Sequence, residues 1–216
     1  MNFRVFLPAV LCLLLCAPSF AAAAEKIDFS ADSMSGSIGE NADYTKLTGH
    51  ARIKTESLEI SADSIELSGK NFRYIVASGT VDGTHSADGL AFSCGSLRYD
   101  RERKVSVFSE NVHLVDSQNG VEADAQRIEY NEETGVAVMQ IAVKLVQKEN
   151  VCTAAFAVYR KKQQLLELSG SPQIVRGKDT FRAQEITLNL ETDEITLDGR
   201  VRGTVTDSEN GKNTDE

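Results

Sequence analysis

The chain has 216 residues, with 23 Lys and Arg against 32 Asp and Glu and a formal net charge of −9 at pH 7. Its 41% of hydrophobic residues are enough for a core, but it has no basic run of the kind that grips a nucleic-acid backbone or an anionic membrane surface. Four cysteines without a CxxC pair rule out thiol–disulfide exchange.

Met1-Asn2-Phe3-Arg4 is a short head with one positive charge. Val5 to Phe20 is almost wholly apolar, and Ala21 to Ala24 supplies small residues before Glu25. Residues 1–24 read as a secretory signal peptide cut after Ala22, Ala23 or Ala24. The apolar run is too short to be favoured as a membrane span. The competing readings are an uncleaved anchor and lipidation at Cys16, for which Leu13-Leu14-Leu15-Cys16 is a poor lipobox. Residues 25–206 form one β domain, and 207–216 a polar, disordered tail. Export leaves Cys94 and Cys152 in an oxidising compartment. They form one bridge if their repeat units touch, and are otherwise two small buried apolar residues.

From Ile27 onward a corner recurs about every 30 residues. Ala31-Asp32-Ser33-Met34 returns as Ala62-Asp63-Ser64-Ile65, Ala125-Gln126-Arg127-Ile128 and Ala183-Gln184-Glu185-Ile186, with Cys94-Gly95-Ser96-Leu97 in the same slot. An offset series reads Gly49-His50-Ala51, Gly79-Thr80-Val81, Gly170-Ser171-Pro172 and Gly199-Arg200-Val201, and Ser109 stands about where a glycine would fall. Leu58, Ile60 and Ala62 alternate with polar residues, as a half-buried strand does. The next apolar residues are Ile65 and Leu67, so the phase slips by one after Ala62. Phe181, Ala183, Ile186, Leu188 and Leu190 slip at the same place, and Ile128 and Tyr130 follow Ala125 likewise. A shared slip predicts a bulge or bend that keeps the apolar side inward while the strand changes direction. The Asp or Gln after the alanine then faces out, within reach of local backbone.

Turns are expected at Ser68-Gly69-Lys70-Asn71, Asp100-Arg101-Glu102-Arg103, Asn131-Glu132-Glu133-Thr134-Gly135 and Glu191-Thr192-Asp193, each followed by a returning strand. Six units of two arms fit between Ile27 and Val205. Thr153 to Lys162, the best helical stretch, reads as strand between strands. Met139-Gln140-Ile141-Ala142 replaces the glycine turn of the fourth unit, so an irregular corner is expected there. His50 follows a turn glycine, His85 lies in a polar turn and His113 on a strand. None has a metal-like partner at i+2 or i+4, which leaves a zinc site only if it is assembled across repeats. No phosphate loop, nucleophile elbow or paired catalytic carboxylates emerge, and no enzyme is expected.

The functional surfaces are therefore the apolar face and the open ends. The face holds Leu58, Ile60, Ile65, Leu67, Phe92, Leu97, Tyr99, Val107, Ile128, Tyr130, Val136, Val138, Phe181, Ile186 and Leu188. It is ordinary core if the two walls close, and a slot for acyl chains if they do not. The ends are strands with unpaired backbone, carrying Ile27 and Phe29 at one end and Val201 and Val205 at the other.

The segments Leu58 to Leu67, Val121 to Tyr130 and Phe181 to Leu190, with the turns at Gly79 and Gly199, resemble the OstA-like domain family of periplasmic lipopolysaccharide-transport proteins, and within it the soluble bridge type. The resemblance runs from about Ile27 to Val205. It implies an all-β fold, a twisted β-jellyroll of stacked V-shaped antiparallel strands with about six repeat units. It implies a periplasmic carrier that binds lipid A acyl chains in an apolar groove and passes lipopolysaccharide, or a related amphiphile, towards the outer membrane. The implied partners are OstA-like proteins of the inner- and outer-membrane complexes and further copies joined head to tail, with no cofactor, no metal and no nucleic acid. The alternative is an exported β-solenoid protein that binds partners by edge-strand pairing and carries no lipid.

Overall fold

The computed structural model describes residues 26–37 and 44–206, so the signal-peptide and tail assignments lie outside the described residues. Sixteen strands form one antiparallel sheet. They are β1 (Asp28–Ser30), β2 (Ser33–Gly36), β3 (Tyr44–Lys54), β4 (Leu58–Ser68), β5 (Tyr74–His85), β6 (Leu90–Asp100), β7 (Val105–Asp116), β8 (Val121–Asn131), β9 (Val136–Gln147), β10 (Asn150–Arg160), β11 (Leu165–Ser169), β12 (Gln173–Arg176), β13 (Asp179–Arg182), β14 (Glu185–Asn189), β15 (Ile195–Asp198) and β16 (Arg202–Thr204). Thr153 to Lys162 is strand as expected, ending in a single 3-10 turn at Lys161–Gln163.

Each long strand is bent once. The β3–β4 ladder runs from Tyr44↔Ser68 to Thr48↔Ser64, breaks, and resumes at Ala51↔Ala62. Ladders β4–β5 through β9–β10 break in the same way at the repeat corners. The pairs β1/β2, β11/β12, β13/β14 and β15/β16 are the two halves of bent strands whose corners fall between them. Twelve bent strands thus stack as six hairpins into two walls joined along a line of corners. The β1 wall also contains β12, β13 and β16, the β2 wall contains β11, β14 and β15, and β3 to β10 give one arm to each. At about 4.8 Å per strand the stack is roughly 50 Å long.

The bend reconciles side-chain parity with a change of direction. In β4 the buried positions are Leu58, Ile60, Ala62, Ile65 and Leu67, so the slip after Ala62 keeps both arms facing inward. On the facing strand two residues adopt left-handed backbone: Gly49 and His50 (φ 76 and 45), Gly170 and Ser171 (75 and 63), Gly199 and Arg200 (70 and 50). Where glycine is missing the geometry persists. Glu110 and Asn111 (70 and 53) hold the slot assigned to Ser109, one residue further on. Ile141 and Ala142 (66 and 53) make the fourth-unit corner, which is regular in shape though not in sequence. The polar residue after the corner alanine sits over that corner. Asp63 Oδ2 accepts the Thr80 N–H at 3.2 Å, Gln126 donates to Asn111 at 3.0 Å, and the Gln184 N–H donates to the Gly199 carbonyl at 2.7 Å.

Candidate functional site

The space between the walls is the candidate site. Leu58, Ile60 and Phe92 face it from the β1 wall. Ile65, Leu67, Leu97, Tyr99, Ile128, Tyr130, Ile186 and Leu188 face it from the β2 wall. All are buried in one continuous apolar cluster with Leu145, Cys152, Leu166 and Ile174. Phe181 is half-buried and packs against the rim of that cluster. Val107, Val136 and Val138 are corrected to the outer face. Val107 and Val138 both stand opposite Glu129 in register, and the inward positions belong to Phe108, Ala137 and Met139. Apolar residues occupy both parities there, so alternation alone could not choose the inner one.

The walls touch. Phe92 and Phe108 meet across the gap with ring centroids 4.7 Å apart and planes tilted by 55°. Ile60 and Ile65 are 0% exposed. The side chains of the two walls therefore fill the slot in this state. Cys94 and Cys152 are free and buried. They lie on arms separated by β7, β8 and β9, about 19 Å at sheet spacing, beyond any disulfide. Burial pushes their thiols up to about 11 and about 12, so both stay protonated at neutral pH.

Opposite the corners, where the arms end in turns, a polar seam shuts the mouth of the V. Tyr130 donates to Asp88 at 3.0 Å and Tyr159 to Asp116 at 3.0 Å across the mouth, and Tyr99 donates to Glu132 at 3.3 Å within the β2 wall. These tyrosines stand one repeat apart on the β2 wall. The sequence marks Tyr99 and Tyr130 only as lining and misses Tyr159. Asp116 is fully buried and also takes Lys161 at 2.6 Å and Asn119 at 2.9 Å, while Gln164 donates to Asn119. Further along, Gln147 and Lys148 donate to the Leu190 carbonyl at 3.2 and 3.4 Å across the mouth, and Arg176 donates to its strand neighbour Asn150 at 2.7 Å within the β1 wall. The seam's tyrosines share one sequence signal: each lies just before a polar turn.

His85 differs from its expected place in a turn: it is the last residue of β5, nearly buried in this seam. Its Nδ1 lies 3.3 Å from Asp88 and its Nε2 3.7 Å from Glu132. Burial raises the Glu132 carboxyl above its usual range, and His85 and the Tyr99 hydroxyl oppose this. His50 and His113 each pair with one corner aspartate, Asp32 and Asp124, at 2.8 Å. Among the described residues no group of three potential metal ligands converges.

At the ends, among the described residues, β1 and β2 pair only with β3, β15 only with β14 and β16 only with β13. Phe29, Val201 and Val205 are exposed at these edges, as is Met34, and Ile27 packs partly against the core. Each end thus offers two short strands with one free side.

Residues 93–194 match the family described as "LptA/(LptD N-terminal domain) LPS transport protein". Among solved structures, the chain aligns with LptH, described as the LptA homologous periplasmic component of the conserved lipopolysaccharide transport device from Pseudomonas aeruginosa. The identity is 11%, covering 85% of this chain and 96% of that one, and the TM-score of 0.26 gives the likeness no weight. No curated protein matches.

Proposed function

We propose that this chain, whose residues 93–194 match the family described as LptA/(LptD N-terminal domain) LPS transport protein, carries the acyl chains of lipopolysaccharide between its two walls. In that family's work the protein is a transport component, not a catalyst. The observation that carries the finer reading is the interior itself. It is one apolar band that runs unbroken through the stack and is crossed on its open side by polar contacts.

The magnitudes favour a slot that opens. A chain of about twelve methylenes gains roughly 10 kcal/mol when buried, before ordering costs. Each seam hydrogen bond contributes a net of only about 1 kcal/mol, and those to charged groups about twice that. An entering acyl chain keeps Ile60, Ile65, Ile128 and Leu188 out of water as the arms part, so the main loss is the seam. The walls hinge at the corners, where the ladders are already broken. Edge pairing at β1, β2, β15 and β16 would join the slot to that of a second OstA-like protein or another copy, so that cargo moves along continuous walls. The lining residues of the working slot are then the eleven inward residues named above and Phe181 at its rim; Val107, Val136 and Val138 lie outside it.

The closed interior favours a second reading, an assembly protein that pairs by its edges and holds no lipid. Native mass spectrometry of protein purified from an LPS-producing host separates the two. Copurified lipid A species are expected. Protein that emerges empty and takes up neither lipopolysaccharide nor a fluorescent fatty acid would leave the assembly reading standing.

A further inference from the structure

The outer surface of the β1 wall carries an arrangement that the closed slot does not explain. Arg182 on β13 and Arg202 on β16 are direct cross-strand partners. Like charges in that position destabilise a strand pair. Arg200, in left-handed backbone at the last corner, brings a third guanidinium to the same concavity. Ser171, Pro172, Gln173 and Ala183 complete its lining, and its volume is about 550 Å³. Arg182 donates to Gln173 at 3.1 Å, which fixes the direction of its planar fork. No acidic side chain of the described residues forms an ion pair with any of the three. Of the nearest acids in sequence, Asp179 lies three residues before Arg182 on β13 and so on the opposite face of that strand, and Glu185 and Asp198 are register partners of each other on the β2 wall. In a chain of net charge −9, three unpaired arginines gathered beside an edge strand lack only an anion.

We infer that Arg182, Arg200 and Arg202 form a phosphomonoester site at the β16 end of the stack. Guanidinium forks bind phosphate oxygens through paired, charge-assisted hydrogen bonds, and a dianion cancels the repulsion between Arg182 and Arg202. A phosphate there sits outside the wall at the last corner, where a headgroup can remain in water while its acyl chains leave the slot at the open edge. The headgroup source rests on the carrier reading; the anion site does not.

The test compares wild type with R182Q/R202Q. First, thermal unfolding is followed in phosphate and in chloride at matched ionic strength, so that general salting effects cancel between the two proteins. The wild-type midpoint is expected to rise with millimolar phosphate, and the variant to be unresponsive and at least as stable as wild type in chloride. Second, both proteins are titrated with lipid A and with its dephosphorylated form. Wild type is expected to prefer the phosphorylated lipid about tenfold, the order that charge-assisted pairs supply, and the variant to prefer neither. Stabilisation by phosphate without lipid preference would assign the site to free phosphate. No phosphate response in wild type, or a variant less stable than wild type in chloride, overturns the site. If neither lipid binds while phosphate still stabilises, the carrier reading fails and the site survives.

Discussion

Replacing Asp116 with alanine tests whether the mouth of the V is shut. The carboxylate is 0% exposed and accepts from Lys161 at 2.6 Å, Tyr159 at 3.0 Å, the Asn119 side chain at 2.9 Å and the N–H groups of Gln118 and Asn119 at 3.1 and 3.3 Å. Its loss strands a Lys161 ammonium that is only 10% exposed. Removing one member of a buried ion pair costs about 3–5 kcal/mol. The two turn amides lie near water and add about 1 kcal/mol. With a urea m-value of about 2 kcal/mol/M, the unfolding midpoint should fall by about 2–3 M. D116L/K161M removes both charges, and should return most of the ion-pair loss while leaving the Tyr159 O–H donor and the turn amides without their acceptor. The assay is urea unfolding followed by far-UV circular dichroism. A D116A loss under about 1 kcal/mol, the size of a surface pair, would mean that water already reaches the carboxylate and that no seam closes the slot. If the seam is the barrier to loading, D116A should also take up a fluorescent fatty acid faster below its melting range.

Burial raises the Glu132 carboxyl, so its folded pKa lies above the unfolded value of about 4.3. Stability from this group is full below that value and declines as pH rises through the folded pKa. Glu132→Gln should therefore match wild type near pH 4 and exceed it at pH 7, as read by thermal midpoints across pH; a parallel profile would remove burial as the cause. Gly79 has φ +94, and a Cβ there would collide with the Asp63 carboxylate. Gly79→Ala should cost about 2–4 kcal/mol in denaturant unfolding, and adding Asp63→Ala should cost less than the sum of the two single changes. Ile141 is left-handed and 63% exposed, so it carries strain without packing. Ile141→Gly should stabilise the fold by about 1 kcal/mol, the left-handed penalty less the entropy of glycine, and a loss of stability would show that its side chain is held.

The bends were legible because parity is a strict signal. Ala62 and Ile65 cannot both face inward on a straight strand, and the structure breaks the ladder there. The turns and the six-unit count were readable for the same reason. Val107, Val136 and Val138 were misplaced because Val136-Ala137-Val138-Met139 is apolar in both phases. Ala137 and Met139 face inward because the corner at Ile141 and Ala142 sets the phase, and that corner lacks the glycine that marks the others. The seam was illegible in a stronger sense. Its cross-wall partners are 40 to 45 residues apart, as in Tyr130 with Asp88 and Lys161 with Asp116, and they meet only once the two arms of different hairpins fold over one another. Whether the walls enclose a core or a slot depends on their spacing, which residue type alone does not encode.

Because each bent strand lies beside the one that follows it in the chain, spatial order repeats sequence order from β1 to β16. Contacts of this kind close small loops, so contact order is low for an all-β protein, and such proteins fold fast for their class. A polypeptide threaded through a translocon with its first residues leading would meet its partners in the order of their arrival. The earliest hairpin can template the second, the second the third, like a zip drawn from one end. Folding on the far side of the membrane need not wait for the last residue to emerge, and unpaired backbone is confined at each moment to the growing edge and the free sides of β1 and β2.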